Sequence, residues 1–136
     1  MPTKKEIIED LNFLTELIST RVRTISAGIL VFCWVLIFES IFKKGSTTII
    51  SVNLLLVPVS LAILTLVADF AQYWLGYLVT NRAFKEMEEK DKENINFDCT
   101  ALAYRLRFFM FYIKQALMLG STLSLLIIIG LRIFKR

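Results

Sequence analysis

Three long runs of apolar residues, separated by short polar segments, dominate the pattern of the chain. Uncharged stretches cover residues 24–38, 45–68 and 115–131. An α-helix rises about 1.5 Å per residue, so about 20 apolar residues cross the ~30 Å hydrocarbon core of a bilayer. The pattern predicts an all-α integral membrane protein with three transmembrane helices, which we place at residues 24–42, 49–69 and 115–134.

The segment before the first span reads as an amphipathic helix over residues 3–20. Thr3 and Glu6 have the spacing of a capping box, which satisfies backbone N–H groups at a helix start. Apolar residues then recur at helical spacing, namely Ile7, Leu11, Leu14 and Ile18. Two interpretations stay open, a helix packed on its own chain or a neighbour and a helix lying on the membrane surface. The mixed charges favour packing, because surface-binding helices are usually rich in Lys and Arg.

The other two spans also continue into polar regions. The second apolar run extends past residue 69 and is too long for one crossing, so we expect the same helix to continue to about residue 92. Pro58 lies in mid-span, where a proline is expected to kink the helix. Residues 98–113 read as an amphipathic helix that leads into the third span. The prediction is one membrane domain, residues 1–136, whose three helices extend into a small cytoplasmic helical bundle.

Two spans contain small residues that allow close contact between helices. The first span has Ser26, Ala27 and Gly28 near its start. The third has Gly120, Ser121 and Ser124. Small side chains let two helix backbones approach closely in a membrane, so both patches are expected at helix–helix contacts.

The positive charges indicate how the chain is oriented. The protein has 136 residues, 16 Lys and Arg and a net charge of +4, and the basic residues cluster at the ends of the apolar runs. Eleven of those 16 lie in residues 1–23 and 82–114, on one side of the predicted membrane. The positive-inside rule places that side, with the N-terminus, in the cytoplasm. This distribution favours membrane orientation over binding of nucleic acid.

Composition argues against an enzyme. The chain has no histidine, which removes the usual general base and the commonest metal ligand. Cys33 and Cys99 are expected at different depths, so neither a disulfide nor a zinc site is predicted. The five glycines are scattered and form no phosphate-binding loop. We therefore expect a non-enzymatic protein without cofactor or metal.

Ionisable and polar residues at membrane depth are the candidate functional residues, because placing them there is costly. Asp69, Gln72, Tyr73 and Gly76 share one face of the second helix. One interpretation is hydrogen bonding between helices, with Gly76 allowing close approach. The other is a gate or a face that docks a partner.

Charge pairing at the two membrane boundaries is a further expectation. Asp69 lies level with Lys114 and Arg23 near the cytoplasmic boundary, and either would neutralise it. Glu39 lies level with Arg132 near the opposite boundary. If Glu39 instead faced a pore, it would form a ring that attracts cations.

The general build favours a membrane effector. A very short multi-pass protein with a charged cytoplasmic part is similar to small membrane effectors of bacterial antiviral and toxin systems. The resemblance covers architecture and no motif, and it implies the bacterial inner membrane. We expect a protein that contacts lipid and self-assembles into a homo-oligomer, forming a pore or altering permeability. The alternative is an accessory or anchoring subunit that binds a partner protein through its cytoplasmic helices. A phage holin fits less well, because the charges concentrate in the middle loop rather than in a tail.

Overall fold

The described part of the chain folds into three long α-helices. A computed structural model describes residues 4–42, 51–90 and 102–134, with the side chains of 12–42, 51–82, 85 and 102–134. The helices are α1 (Lys4–Phe42), α2 (Val52–Lys90) and α3 (Leu102–Phe134). Each is continuous from its amphipathic segment into its apolar span. Several features of the sequence lie outside the described residues. They are Thr3 of the capping box, the loop between the first two spans (residues 43–48), Ile49 at the expected start of the second span, and residues 98–101, which include Cys99.

Each helix contains a stretch that is long and apolar enough to cross a membrane. These stretches are Asn12–Phe42, Val52–Arg82 and Leu102–Phe134, of 31, 31 and 33 residues. At ~1.5 Å per residue each measures roughly 46–50 Å, more than the ~30 Å hydrocarbon core of a bilayer. The prediction of an all-α protein with three such helices is confirmed.

The apolar core between the helices is small, and α2 lies at its centre. The most extensive packing is between α2 and α3, followed by α1 against α2, whereas α1 and α3 touch little. Ile29, Cys33, Leu55 and Ala62 form the buried core cluster. Large apolar side chains cover the outside of all three helices, for example Trp34, Val67 and Leu126, each more than half exposed. Such a surface is unfavourable in water and is matched by lipid.

The described residues do not support a separate cytoplasmic bundle. Leu14, Leu102 and Phe109, which the sequence pattern would bury in it, are 50%, 73% and 58% exposed. The physical reason lies in the composition of the first turns of α3. Large apolar residues there surround the helix rather than lining one face, so its contacts with two neighbours cannot cover all of them: Leu102, Leu106, Phe108, Phe109, Phe111 and Tyr112.

The two small-residue patches have different surroundings. Ser121 lies in the contact between α3 and α2, where its Oγ donates a 2.8 Å hydrogen bond to the backbone oxygen of Pro58. Helix α2 continues through Pro58 without a break. On α1, Ser26 is buried against the rest of the chain, whereas Gly28 faces outward, and no atom in the described part of the chain lies within 4 Å of where its Cβ would be. The patch on α3 is therefore used within the chain, and part of the patch on α1 is left open.

Candidate functional site

A fully buried lysine joins the three helices. Lys114 of α3 is 0% exposed. Its Nζ donates to Asp69 Oδ1 on α2 at 2.6 Å and to Ser19 Oγ on α1 at 2.7 Å. Because a buried ammonium is costly without acceptors, these two contacts hold one turn from each neighbouring helix around it.

The carboxylate of Asp69 also accepts a second cation. Arg23 Nε donates to Asp69 Oδ2 at 3.0 Å, and Arg23 Nη2 donates to Tyr73 Oη at 3.1 Å. The side chain of Arg23 is 50% exposed, whereas that of Asp69 is 7% exposed. We call Ser19, Arg23, Asp69, Tyr73 and Lys114 the charge network. It has one buried cation, one shared carboxylate and one cation that reaches the surface.

Aromatic rings surround the cations of the charge network. Lys114 Nζ lies 5.4 Å from the ring centroid of Phe111 and 6.0 Å from that of Tyr73. The guanidinium carbon of Arg23 lies 5.3 Å from the Tyr73 centroid. The network holds two cations and one anion, so a formal positive charge remains. The negative faces of aromatic rings stabilise cations at these distances, which offsets part of the excess.

Helical spacing explains why these residues converge. Ser19 and Arg23 are four residues apart on α1, and Asp69 and Tyr73 are four apart on α2. Residues at this spacing lie one above the other on the same helix face. One turn of α1 and one turn of α2 therefore supply the whole set that meets Lys114 of α3.

A polar cleft adjoins the charge network on the side of the helix extensions. Its volume is about 350 Å³. Residues of all three helices line it, namely Asn12, Thr15, Glu16, Ser19, Gln72, Tyr73, Gly76, Tyr77, Thr80 and Arg107. We call it the polar cleft. Gln72 is only 6% exposed, and its Oε1 has no hydrogen-bond partner among the described residues.

Gly76 lies beside Arg107 in the polar cleft. A Cβ built on Gly76 would lie 3.4 Å from Arg107 Nε and 3.6 Å from its Cζ. That spacing is ordinary van der Waals contact, so a Cβ at position 76 would just fit beside the Arg107 side chain. A side chain longer than alanine at position 76 would meet Arg107 in the cleft.

The candidates from the sequence fall into three places. Asp69, Lys114, Arg23 and Tyr73 meet in the charge network. Gln72 and Gly76 line the polar cleft beside Tyr73. Glu39 and Arg132 are both exposed, toward the far ends of α1 and α3, and neither takes part in the network.

Sequence reasoning missed several residues of the site, among them one acceptor and two charged residues. Ser19 is the second acceptor of Lys114, and Glu16 and Arg107 line the cleft. The only signal for Ser19 was its position one turn before Arg23. Glu16 and Arg107 read as ordinary charges on amphipathic segments, because their helices must be placed side by side before they face one cleft.

The charge network joins the three helices through paired charges and hydrogen bonds in the interior of the protein. Within the part of the chain that the structure describes, no group of three or more His, Cys, Asp or Glu residues could hold a metal ion. Fold and site together define a three-helix protein whose helices are long enough to cross a bilayer and are joined by buried charges. Compared with protein-family models, curated proteins and solved structures, the chain has no match.

Proposed function

We propose that the protein is a non-enzymatic membrane protein that assembles with copies of itself and thereby alters the permeability of the bilayer. The observation that carries the proposal is the outward face of α1 at membrane depth. Thr24, Ala27 and Gly28 are exposed there, and no described atom lies within 4 Å of a Cβ added to Gly28. Small residues spaced four apart are a common contact surface between membrane helices.

This face is compatible with both lipid and a second copy. The hydroxyl of Thr24 donates to the backbone oxygen of Thr20 at 2.9 Å, so it is satisfied within its own helix. Gly130 on α3 offers a comparison, because it is equally open. Its exposed neighbours one turn away are large, namely Leu126, Ile127, Ile133 and Phe134. Three of the exposed neighbours one turn from Gly28 are also large, namely Ile25, Val31 and Phe32, but the fourth is the small Thr24. Close approach of two backbones is therefore less hindered on the Thr24 side of Gly28 than at Gly130.

A conducting path would have to form between copies. The centre of a single chain is filled by the core cluster and the charge network, and Asp69 and Gln72 point inward rather than toward a shared lumen. The outward face of α2 is mostly apolar at membrane depth, with Leu56, Ile63 and Val67 about half exposed, and Asn53 and Ser60 add two exposed polar side chains. A lumen lined by such residues would open and close by wetting and dewetting.

We place the protein in a bacterial inner membrane with its N-terminus in the cytoplasm. The orientation is supported by the excess of Lys and Arg at the end of the helices that carries the polar cleft. The bacterial inner membrane follows only from the resemblance in architecture to small bacterial membrane effectors. The extended ends of all three helices would then lie on the cytoplasmic side.

Membrane potential in expressing cells tests the permeability change. Expression of the natural sequence should depolarise the host membrane, as read by a potential-sensitive dye. Gly28→Leu should abolish the effect because leucine blocks close packing, whereas the matched control Gly130→Leu should retain it. Equal depolarisation by all three proteins at equal membrane levels would contradict assembly through this face.

An accessory subunit is the second candidate, and one observation favours it. Phe13, Leu102 and Phe109 are 65%, 73% and 58% exposed at the end of the bundle beyond the charge network. Exposed apolar side chains at that end suit contact with a partner protein. This candidate predicts no depolarisation by the chain alone, and recovery of one defined partner whose binding is lost when Phe13 and Phe109 are replaced by Ser.

A further inference from the structure

The polar cleft presents both signs of charge and an unsatisfied buried acceptor within one small volume. Arg107 supplies a guanidinium and Glu16 a carboxylate. Gln72 lies in the wall of the cleft, and its amide oxygen is buried there without a hydrogen-bond partner among the described residues. Its volume of about 350 Å³ falls in the range of roughly 300–1,000 Å³ found for small-molecule sites. A buried acceptor left without a donor is costly, so the cleft favours a ligand that brings one.

The depth of the polar cleft matches the headgroup region of a bilayer. The segment of α2 from Val52 to Asp69 rises about 26 Å, close to the ~30 Å hydrocarbon core. The cleft residues Gln72, Gly76 and Thr80 continue beyond Asp69 on the same helix, and Arg107 lies about 10 Å before Lys114 along α3.

Aromatic side chains mark the same level on the outside. Trp74 and Tyr77 of α2 and Tyr112 of α3 are 56%, 61% and 57% exposed. Such rings concentrate at the boundary between hydrocarbon and headgroups. The cleft therefore opens where phospholipid headgroups lie.

We infer that the polar cleft binds the headgroup of a zwitterionic phospholipid that carries a primary ammonium, that is, an ethanolamine headgroup. The guanidinium of Arg107 pairs with the phosphate, because a planar guanidinium matches phosphate oxygens. The ammonium donates to the carboxylate of Glu16 and to the amide oxygen of Gln72. The terminal torsion of glutamine is broad, so the amide of Gln72 turns toward the ligand at little cost.

The chemistry of the cleft discriminates between headgroups. A choline headgroup has the same charges but no N–H to offer Gln72. A glycerol headgroup has hydroxyl donors but no cation for Glu16. The ring of Tyr77, which also lines the cleft, adds a favourable surface for an ammonium. Of these three headgroups, ethanolamine alone satisfies the guanidinium, the carboxylate and the buried amide together.

Lipid retention by the purified full-length protein tests the site. The protein is exchanged into detergent containing phosphatidylethanolamine, phosphatidylcholine or phosphatidylglycerol with identical acyl chains, and bound lipid is counted by native mass spectrometry. Phosphatidylethanolamine should bind at least about tenfold more tightly than either other lipid, since the others leave one or more groups unpaired. Soluble glycerophosphoethanolamine in a parallel arm shows whether the headgroup alone competes or whether the acyl chains are needed.

Substitutions assign the binding to the cleft. Arg107→Gln should weaken phosphatidylethanolamine binding by about tenfold, the usual weight of one charge-assisted pair. Arg105→Gln is the matched control, because Arg105 is exposed on the same helix and does not line the cleft. Gln72→Leu should also weaken binding while leaving the thermal midpoint of the lipid-free protein unchanged or higher, because it removes a buried acceptor that has no partner among the described residues.

The outcomes separate a lipid site from the alternatives. Selective retention lost in Arg107→Gln and kept in Arg105→Gln supports the site, whether or not the soluble headgroup competes. Equal retention of the three lipids, or equal loss in the two arginine variants, would mean a non-specific lipid shell and would overturn it. Retention of no lipid at all would also overturn it, and would leave water as the donor to Gln72.

Discussion

At the scale of single residues, Asp69 is the residue on which the charge network depends most. It is the anion shared by Lys114, which is fully buried, and Arg23, whose side chain is half exposed. The two cations differ in how strongly they depend on Asp69 as a counter-ion. Arg23 can reach water when Asp69 is removed, whereas Lys114 would keep only the hydroxyl of Ser19 among its described acceptors. The network therefore depends on Asp69 more than on either cation.

Replacing Asp69 should destabilise the fold strongly. Asp69→Leu leaves a buried ammonium without its counter-ion, which typically costs about 3–5 kcal/mol. Asp69→Asn should be nearly as harmful, because the amide oxygen accepts a hydrogen bond but carries no charge. Lys114→Met should be milder, since Asp69 keeps its pair with Arg23. The thermal midpoint in mild detergent measures each effect.

The double variant Asp69→Leu with Lys114→Met separates charge pairing from shape. Replacing a buried ion pair by apolar residues is often neutral, so the double variant should recover most of the loss. Lys85→Met is the control, because Lys85 is exposed on α2. A double variant no more stable than Asp69→Leu alone would rule out charge pairing as the role of Asp69.

The sequence indicated part of this site and could not indicate the rest. A carboxylate at membrane depth needs a cation, and Lys114 and Arg23 were the two at the same level. Whether Asp69 met one or both depends on how the helices are rotated about their axes, which periodicity alone does not determine. Ser19 gave no signal, because a serine in an amphipathic segment is usually solvated. The polar cleft was equally hidden, since its charged walls, Glu16 and Arg107, lie on helices far apart in the chain.

At the scale of helices, α2 and α3 pack against each other more extensively than either packs against α1. Their contact includes the hydrogen bond from Ser121 to the Pro58 backbone oxygen. It also includes a close approach at Gly120, where an added Cβ would lie 3.7 Å from Leu61 Cδ1. The lengths of the helices were harder to predict than their existence. Each amphipathic segment and its apolar span form one helix, because nothing in residues 20–24 or 69–72 interrupts the backbone hydrogen bonding.

Loss of the Ser121 hydroxyl should loosen this helix pair. Ser121→Ala removes a buried hydrogen bond between helices, and such bonds contribute about 0.6–1.7 kcal/mol in membrane proteins. Ser124→Ala is the matched control, because the Ser124 hydroxyl donates to the backbone oxygen of Ser121 within its own helix. Reversible unfolding in detergent–lipid micelles gives the difference. A larger loss for Ser124→Ala than for Ser121→Ala would contradict the contact.

At the scale of the whole molecule, the charged and the apolar surfaces lie at different positions along the helices. The boundary between them lies at the charge network, and each helix extends from it in two directions. One direction is apolar for about the thickness of a bilayer core, and the other contains the polar cleft and most Lys and Arg residues. The proposed orientation assigns the second direction to the cytoplasm.

Labelling with a membrane-impermeant thiol reagent tests the orientation. In a background with Cys33→Ala and Cys99→Ala, a cysteine replacing Lys85 should be protected in intact cells and react after lysis. A cysteine replacing Lys135 should react in intact cells. The positive-inside rule predicts this pattern from the Lys and Arg distribution. The opposite pattern would reverse the orientation without affecting the fold.

Self-assembly is the central claim, and native mass in a lipid environment tests it most directly. The protein would be extracted with its surrounding lipid into polymer-bounded discs, and its mass would be measured against the 15.7 kDa of one chain. The natural sequence and Gly130→Leu should both give one defined multiple of that mass, and Gly28→Leu should shift toward the single chain. A single-chain mass for the natural sequence across the range of protein-to-lipid ratios would contradict assembly, and with it a pore formed between copies.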